Sequence, residues 1–176
     1  RAAHHVRMGG VLAYATESVF GLGCDPWNAQ AVHRIYRLKR RPRNKAVLLV
    51  AAELNQIFPF IAELPVLHRQ TILASWPGPV TWVLPKSTQC PEWLTGGLDT
   101  IAVRVTRHPQ VVALCRVLGG ALVSTSANVS GLPPSRNLLN AQLRWLREGV
   151  WVLPGRVSGA ANPSQIYDGT TGARLR

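Results

Sequence analysis

Residues 46–51, Ala-Val-Leu-Leu-Val-Ala, are apolar without a break. A strand with one face in water alternates apolar and polar side chains. A run that is apolar at both parities must be covered on both faces, which places it in the centre of a sheet. On either side of it, short apolar or alternating runs interleave with helical patterns. Strands are expected at 11–16, 46–51, 81–85, 101–106, 121–126, 150–154 and 164–168, and helices at 29–39, 53–61, 66–75, 109–118 and 138–148. This interleaving is the signature of an α/β fold. The 176 residues fit one domain, residues 1–176, long enough to bury roughly two-thirds of its unfolded surface. There is no internal repeat or low-complexity linker; 131–135 and 155–163 read as loops.

Charge narrows the partner. Against an ordinary 47% hydrophobic content, 20 Lys+Arg and 8 Asp+Glu leave a net charge of +12. The excess is concentrated in residues 34–45, RIYRLKRRPRNK, and no acidic residue lies between Asp25 and Glu53. Crowded cations repel one another, and a polyanionic phosphate relieves that repulsion. A nucleotide or nucleic acid is therefore expected, with a merely solvated basic face as the alternative. Val32, Ile35, Tyr36 and Lys39 recur at helical spacing, so this helix can bury one face and project Arg34 and Arg37 from another. Pro42 then stops it. No stretch approaches the ~18 apolar residues of a membrane span, so a membrane is not expected as partner. The opening RAAHHVRMGG has no apolar core of a secretory signal and no initiator Met. Cys24, Cys90 and Cys115 are odd in number and far apart, with no CxxC pair. Neither a disulfide framework nor a zinc site is expected, and reduced thiols point to the cytoplasm.

Four segments could carry chemistry. In Lys39-Arg40-Arg41-Pro42-x-x-Lys45, a compact ammonium and planar guanidinium forks can hold different oxygens of a triphosphate. In 124–131, Ser-Thr-Ser-Ala-Asn-Val-Ser-Gly, uncharged donors and acceptors follow an apolar strand, where α/β sheets place ligands; a self-bonded polar turn is the plainer alternative. In 14–23, YATESVFGLG, a strand runs into hydroxyl and acidic groups and then a Gly-x-Gly that reads as a tight turn. It is neither a Walker loop nor a dinucleotide fingerprint. Finally, Arg104 lies on the otherwise apolar run 101–105, and a buried guanidinium needs an anion: Glu17, Asp99 or a ligand carboxylate. Because carboxylates are scarce, a ligand is favoured. The five His show no metal-ligand spacing, no GxSxG elbow occurs, Cys24 lacks a basic partner, and the Trp residues read as packing.

Taken in order, YATESVFGLG, LKRRPRNK, SWPGPVTWVLP, DTIAVRVTRHP, VSTSANVSG and NPSQIYD resemble the YrdC/Sua5 family of threonylcarbamoyl-AMP synthases, from about residue 11 to 176. The family's KxR…SxN signature stands as Lys39-x-Arg41 and Ser126-x-Asn128. The likeness is to its short single-domain bacterial form. It implies a twisted mixed sheet flanked by helices around an electropositive cavity. It also implies conversion of L-threonine, bicarbonate and ATP to threonylcarbamoyl-AMP and pyrophosphate with Mg²⁺, held mainly through the ATP phosphates. Other enzymes would then transfer the group to an adenosine of tRNAs decoding ANN codons, and direct tRNA contact is a further expectation. Position by position, Lys39, Arg41, Ser126 and Asn128 would be catalytic and hold ATP, joined by Thr100 and Arg176. Thr16, Lys45, Arg104, Ser124 and Ser164 would line the threonine site, with Arg104 on the amino-acid carboxylate. Ala15 departs from the family, which commonly has proline there. Two rivals stand beside this reading: a non-catalytic protein binding double-stranded RNA or tRNA, and the carbamoyl-transfer modules of hydrogenase maturation proteins. The latter carry acylphosphatase-like and zinc-finger segments that this sequence lacks.

Overall fold

The computed structural model describes residues 1–159 and 164–176. Its strands are β1 (Leu12–Ala15), β2 (Phe20–Gly23), β3 (Leu48–Ala51), β4 (Val80–Pro85), β5 (Thr100–Val105), β6 (Leu122–Ser126), β7 (Trp151–Val152) and β8 (Gln165–Asp168). The α-helices are α1 (Ala2–Arg7), α2 (Ala29–Lys39), α3 (Arg69–Ala74), α4 (Glu92–Thr95), α5 (Pro109–Leu118) and α6 (Leu138–Trp145). The strands form one eight-stranded sheet in the order β7-β1-β2-β6-β3-β5-β4-β8. It is mixed: β3 runs parallel to β5 and antiparallel to β6, while β4 is antiparallel to β5 and parallel to β8. The apolar run singled out above is β3, paired on both sides, with Leu49, Val50 and Ala51 almost wholly buried.

The strand period divides the core in two. Leu12, Tyr14, Val50 and Leu122 pack with Val111, Leu114 and Cys115 of α5 and Val6 of α1. Their alternate neighbours Ala13, Leu49, Ala51 and Val123 join the larger cluster on the other face, with Val32, Ile35 and Tyr36 of α2 and Trp145 of α6. Helix α2 starts where Asn28 accepts a hydrogen bond from the Ala31 amide at 3.0 Å. It ends at Arg40, which adopts φ +49, with the Arg41 amide bonded back to the Tyr36 carbonyl. The stop therefore lies two residues before Pro42, and a left-handed cap rather than the proline makes it.

Two further expectations are corrected. Residues 20–23 are a strand, not a turn: Gly21 and Gly23 point to one face of β2, next to β6. A Cβ on Gly23 would lie 2.5 Å from the Val123 carbonyl and 2.6 Å from the Tyr14 ring, so close approach rather than a turn demands glycine. The helix expected at 53–61 is two short 3₁₀ turns, Leu54–Gln56 and Phe58–Phe60. Pro59 removes a donor, and the Gln56 side chain caps the Ala52 and Glu53 amides instead of continuing a helix. The helices α1 and α4 went unforeseen; each is too short to show a helical period. Part of the loop expected at 155–163 lies outside the described residues, as do Asn162 and Pro163 of the NPSQIYD motif.

Candidate functional site

One face of the sheet changes character along its strands. On β6, Leu122 packs under α5, but Ser124 and Ser126 at the same parity are polar. On β5, Thr100, Ala102 and Arg104 share that face, and register sets Leu48 of β3 between Ser124 and Ala102. Here a cavity of about 420 Å³ opens. Its lining draws on six consecutive strands, from Gly21 of β2 across to Ile166 of β8. Six flat strands would span about 24 Å, too wide to enclose one such cavity, so the sheet coils around it.

The cavity gathers Thr16, Arg41, Arg104, Ser124, Ser126, Ser164 and Arg176, all singled out in the sequence. Arg41 donates from Nη2 to the Ala46 carbonyl at 2.7 Å, and its buried Nε has no partner among the described residues. Arg104 is 7% exposed, and its Nε too is buried and unpartnered. Its nearest anion is Glu17, with Nη2 3.7 Å from Oε2, a loose pair. Asp99 is engaged elsewhere, 3.3 Å from Lys86 on the surface. Two guanidinium groups thus line one hollow, and buried positive charge is costly until an anion arrives. Arg176 reaches the rim and donates to the Ser164 carbonyl at 3.2 Å. Thr81, almost fully buried, shares a hydrogen bond with Ser164 Oγ at 3.2 Å.

Lys39, Asn128, Lys45 and Thr100 are not in this lining. Lys39 continues the buried stripe of α2, so its side chain is carried inward and is 2% exposed. Its three N–H donors are engaged by the Ser126 carbonyl (2.5 Å), the Asn128 carbonyl (2.9 Å) and Asn128 Oδ1 (3.1 Å). Ser126 Oγ donates to the same Oδ1 at 2.6 Å, and Asn128 Nδ2 donates to the Leu132 carbonyl at 2.6 Å. The two halves of the KxR…SxN signature therefore converge, with the lysine bolting down the loop that presents Ser126. Burial, with Arg41 nearby, lowers the Lys39 ammonium to about 8. Lys45 is exposed, and Thr100 sits half-buried at the start of β5.

Glu17 was read only as a candidate partner for Arg104, yet it lines the cavity and accepts a hydrogen bond from Thr106 Oγ1 at 2.5 Å. Burial raises its carboxyl, but Arg104 and the Thr106 hydroxyl outweigh that and leave it lowered. Thr106 is not among the candidates in the sequence; its place two residues beyond Arg104, just past the end of β5, is the available signal. Among the described residues, no group of three or more His, Cys, Asp or Glu could hold a metal ion. Burial pushes the Cys24 thiol up and Cys115 up to about 12, which leaves neither a thiolate nucleophile.

The Sua5_yciO_yrdC family model, described as telomere recombination, matches residues 4–176. The chain belongs to the Sua5/YciO/YrdC family. Within that family, a threonylcarbamoyl-AMP synthase of Halorhodospira halophila is 51% identical over 175 residues, 99% of this chain and 92% of that protein. A doubly substituted Sua5 of P. abyssi superposes with a TM-score of 0.93 at 32% identity, covering 99% of this chain and 54% of that one. A P. abyssi Sua5 complexed with L-threonine gives a TM-score of 0.88 at 32% identity, covering 95% of this chain and 49% of that one. The chain thus spans about half the length of those Sua5 proteins.

Proposed function

We propose that this chain condenses L-threonine, bicarbonate and ATP into threonylcarbamoyl-AMP and pyrophosphate, acting as a nucleotidyltransferase. Relatives that carry the synthase name are about half identical to it over nearly their whole length. The observation that carries the reading is the cavity that Arg41 and Arg104 line together among serine and threonine hydroxyls.

Chemistry and geometry agree. The threonine amine adds to the carbon of bicarbonate and water leaves, giving a carbamate whose oxygen attacks the α-phosphorus while pyrophosphate leaves, so no covalent protein nucleophile is needed. Catalysis then rests on alignment and on stabilising charge at the departing phosphates. Arg104 would pair the amino-acid carboxylate, with Thr16, Ser124 and Ser164 around it. Arg41, Ser126 and Arg176 would face the triphosphate. Lys39 and Asn128 would serve ATP by fixing the Ser126 loop, and Lys45 and Thr100 would contact substrate only from the margins.

Among the described residues, the one carboxylate lining the cavity, Glu17, is already engaged by Arg104 and Thr106. Mg²⁺ fits such a site when phosphate oxygens and water supply most of its ligands, and it would neutralise charge on the triphosphate. The exposed Arg37, Arg40 and Arg43 offer a cationic rim for direct tRNA contact before other enzymes of tRNA threonylcarbamoylation use the product. Three free, buried cysteines suit a reducing cytoplasm, and no helix among the described residues is long and apolar enough to cross a membrane.

Pyrophosphate release with ATP and bicarbonate tests the function, comparing L-threonine, D-threonine, serine and no amino acid. Release that depends on L-threonine supports it. Release indifferent to the amino acid, or absent in all arms, overturns it.

A further inference from the structure

The first turn of α5 touches both chain segments that border the Thr16 side of the cavity. Gln110 Oε1 accepts from the Ala15 amide at 2.8 Å, where β1 runs out into Thr16 and Glu17. Its Nε2 donates to the Pro154 carbonyl at 2.7 Å, at the start of a strap that follows β7. The Ser158 amide of that strap donates to the Thr16 carbonyl at 3.3 Å. A Cβ on Gly155 would lie 2.7 Å from both amide atoms of Gln110, so any side chain there would displace that amide.

His108, at the helix cap and 5% exposed, adds a second post. Its Nε2–H donates to the Arg156 carbonyl at 3.3 Å, while its Nδ1 is buried without a partner among the described residues. Its backbone amide donates to Thr106 Oγ1 at 3.0 Å, and that hydroxyl donates to Glu17, the partner of Arg104. An unbroken series of contacts therefore joins Arg104 to the strap.

We infer that Gln110 and His108 form a clip that positions the amino-acid side of the cavity by pinning residues 154–158 against the Thr16–Glu17 turn. Neither residue lines the cavity; both act through the backbone segments they hold. The inference rests on the reading of Arg104 as the threonine carboxylate's partner.

Gln110→Ala removes both bonds. Gln110→Glu keeps an acceptor for the Ala15 amide but loses the donor to Pro154, so the two variants should form a graded series. Loss of both bonds should raise the KM for L-threonine about tenfold, with the KM for ATP and kcat changed less than threefold; the glutamate variant should fall between. Amide hydrogen exchange over residues 151–158 gives a readout that needs no turnover, and Gln110→Ala should accelerate it about tenfold at an unchanged melting temperature. Unchanged exchange in that segment would overturn the clip, as would equal rises in both KM values. If wild type shows no threonine-dependent turnover while exchange still responds to Gln110→Ala, the functional reading falls and the clip stands. If Gln110→Ala lowers the melting temperature, the comparison passes to Gln110→Glu, where an unchanged threonine KM and unchanged exchange count against the clip.

Discussion

Replacing Lys39 by methionine keeps the length of the side chain and its place on the buried stripe of α2 while removing the ammonium. Ser126 O, Asn128 O and Asn128 Oδ1, now 2.5–3.1 Å from Nζ, lose their shared donor. Hydrogen bonds to a charged group are worth about 1.5–3 kcal/mol each by substitution. The three are not additive, and methionine no longer has an ammonium to desolvate, so we expect a net loss of about 2 kcal/mol. Urea unfolding followed by tryptophan fluorescence should show a lower midpoint with an unchanged slope. A cycle with Asn128→Ala should give a coupling of about 1 kcal/mol or more, because the two side chains touch.

The pH dependence of the same pair of proteins carries a sign. Folded Lys39 gives up its proton near pH 8, whereas in the unfolded chain it holds it to 10.5. Between those values the unfolded state binds more protons, so wild-type stability rises with pH relative to Lys39→Met, by at most about 1.4 kcal/mol per pH unit. Below pH 8 the difference should be flat. If Lys39→Met instead unfolds within about 0.5 kcal/mol of wild type and yet loses turnover, the ammonium serves the ligand directly, and its role as a bolt on the Ser126 loop is refuted.

Arg104→Ala should raise the L-threonine requirement by tenfold to a hundredfold, as expected for a charge-assisted contact of about 1.5–3 kcal/mol, and the ATP requirement much less. Equal changes in steady-state kinetics would count against its carboxylate role. Arg41→Ala should show the reverse preference, weakening ATP more than threonine in the same assay. Glu17→Gln should flatten the acid limb of the stability curve. The lowered Glu17 carboxyl stabilises the fold above its ordinary value of 4.5 and loses that contribution as pH falls through the folded value; an identical limb in both proteins argues against the pairing with Arg104. Arg40→Gly should stabilise by about 1 kcal/mol, since glycine takes φ +49 without the Cβ penalty; a lower thermal midpoint would show that the Arg40 side chain contributes more than its backbone costs.

Where the signal is a pattern along one element, the sequence and the structure agree. The all-apolar β3 is central and buried along Leu49–Ala51, as its composition requires, and within it only Leu48 borders the cavity. The spacing that placed Lys39 with Val32, Ile35 and Tyr36 already implied an inward lysine, although its partners lay on another strand and could not be read. Where the outcome depends on what lies opposite, local pattern misleads. Gly21 and Gly23 look like turn residues, and only the Tyr14 ring and the Val123 carbonyl across from them show why a strand needs glycine there. Likewise, nothing near Pro59 in sequence shows that the Gln56 side chain will satisfy the amides a helix would have used.

Arg104 joins the two kinds of evidence. One guanidinium on an apolar strand announces an anion; the sequence offers Glu17, Asp99 or a ligand carboxylate, and the scarcity of acidic residues favours the ligand. The geometry admits both in turn. Glu17 stands 3.7 Å away, near enough to offset the buried charge and too far for a tight bidentate grip, while Arg104 also lines the cavity. A tight pair with Glu17 would make substrate entry compete with a strong internal bond. No pair at all would leave an uncompensated charge in the core, a cost of several kcal/mol. A loose neighbour, itself held by Thr106, keeps the arginine folded and available. This is why Glu17→Gln, which weakens that restraint, should tighten threonine binding even as it lowers stability near neutral pH.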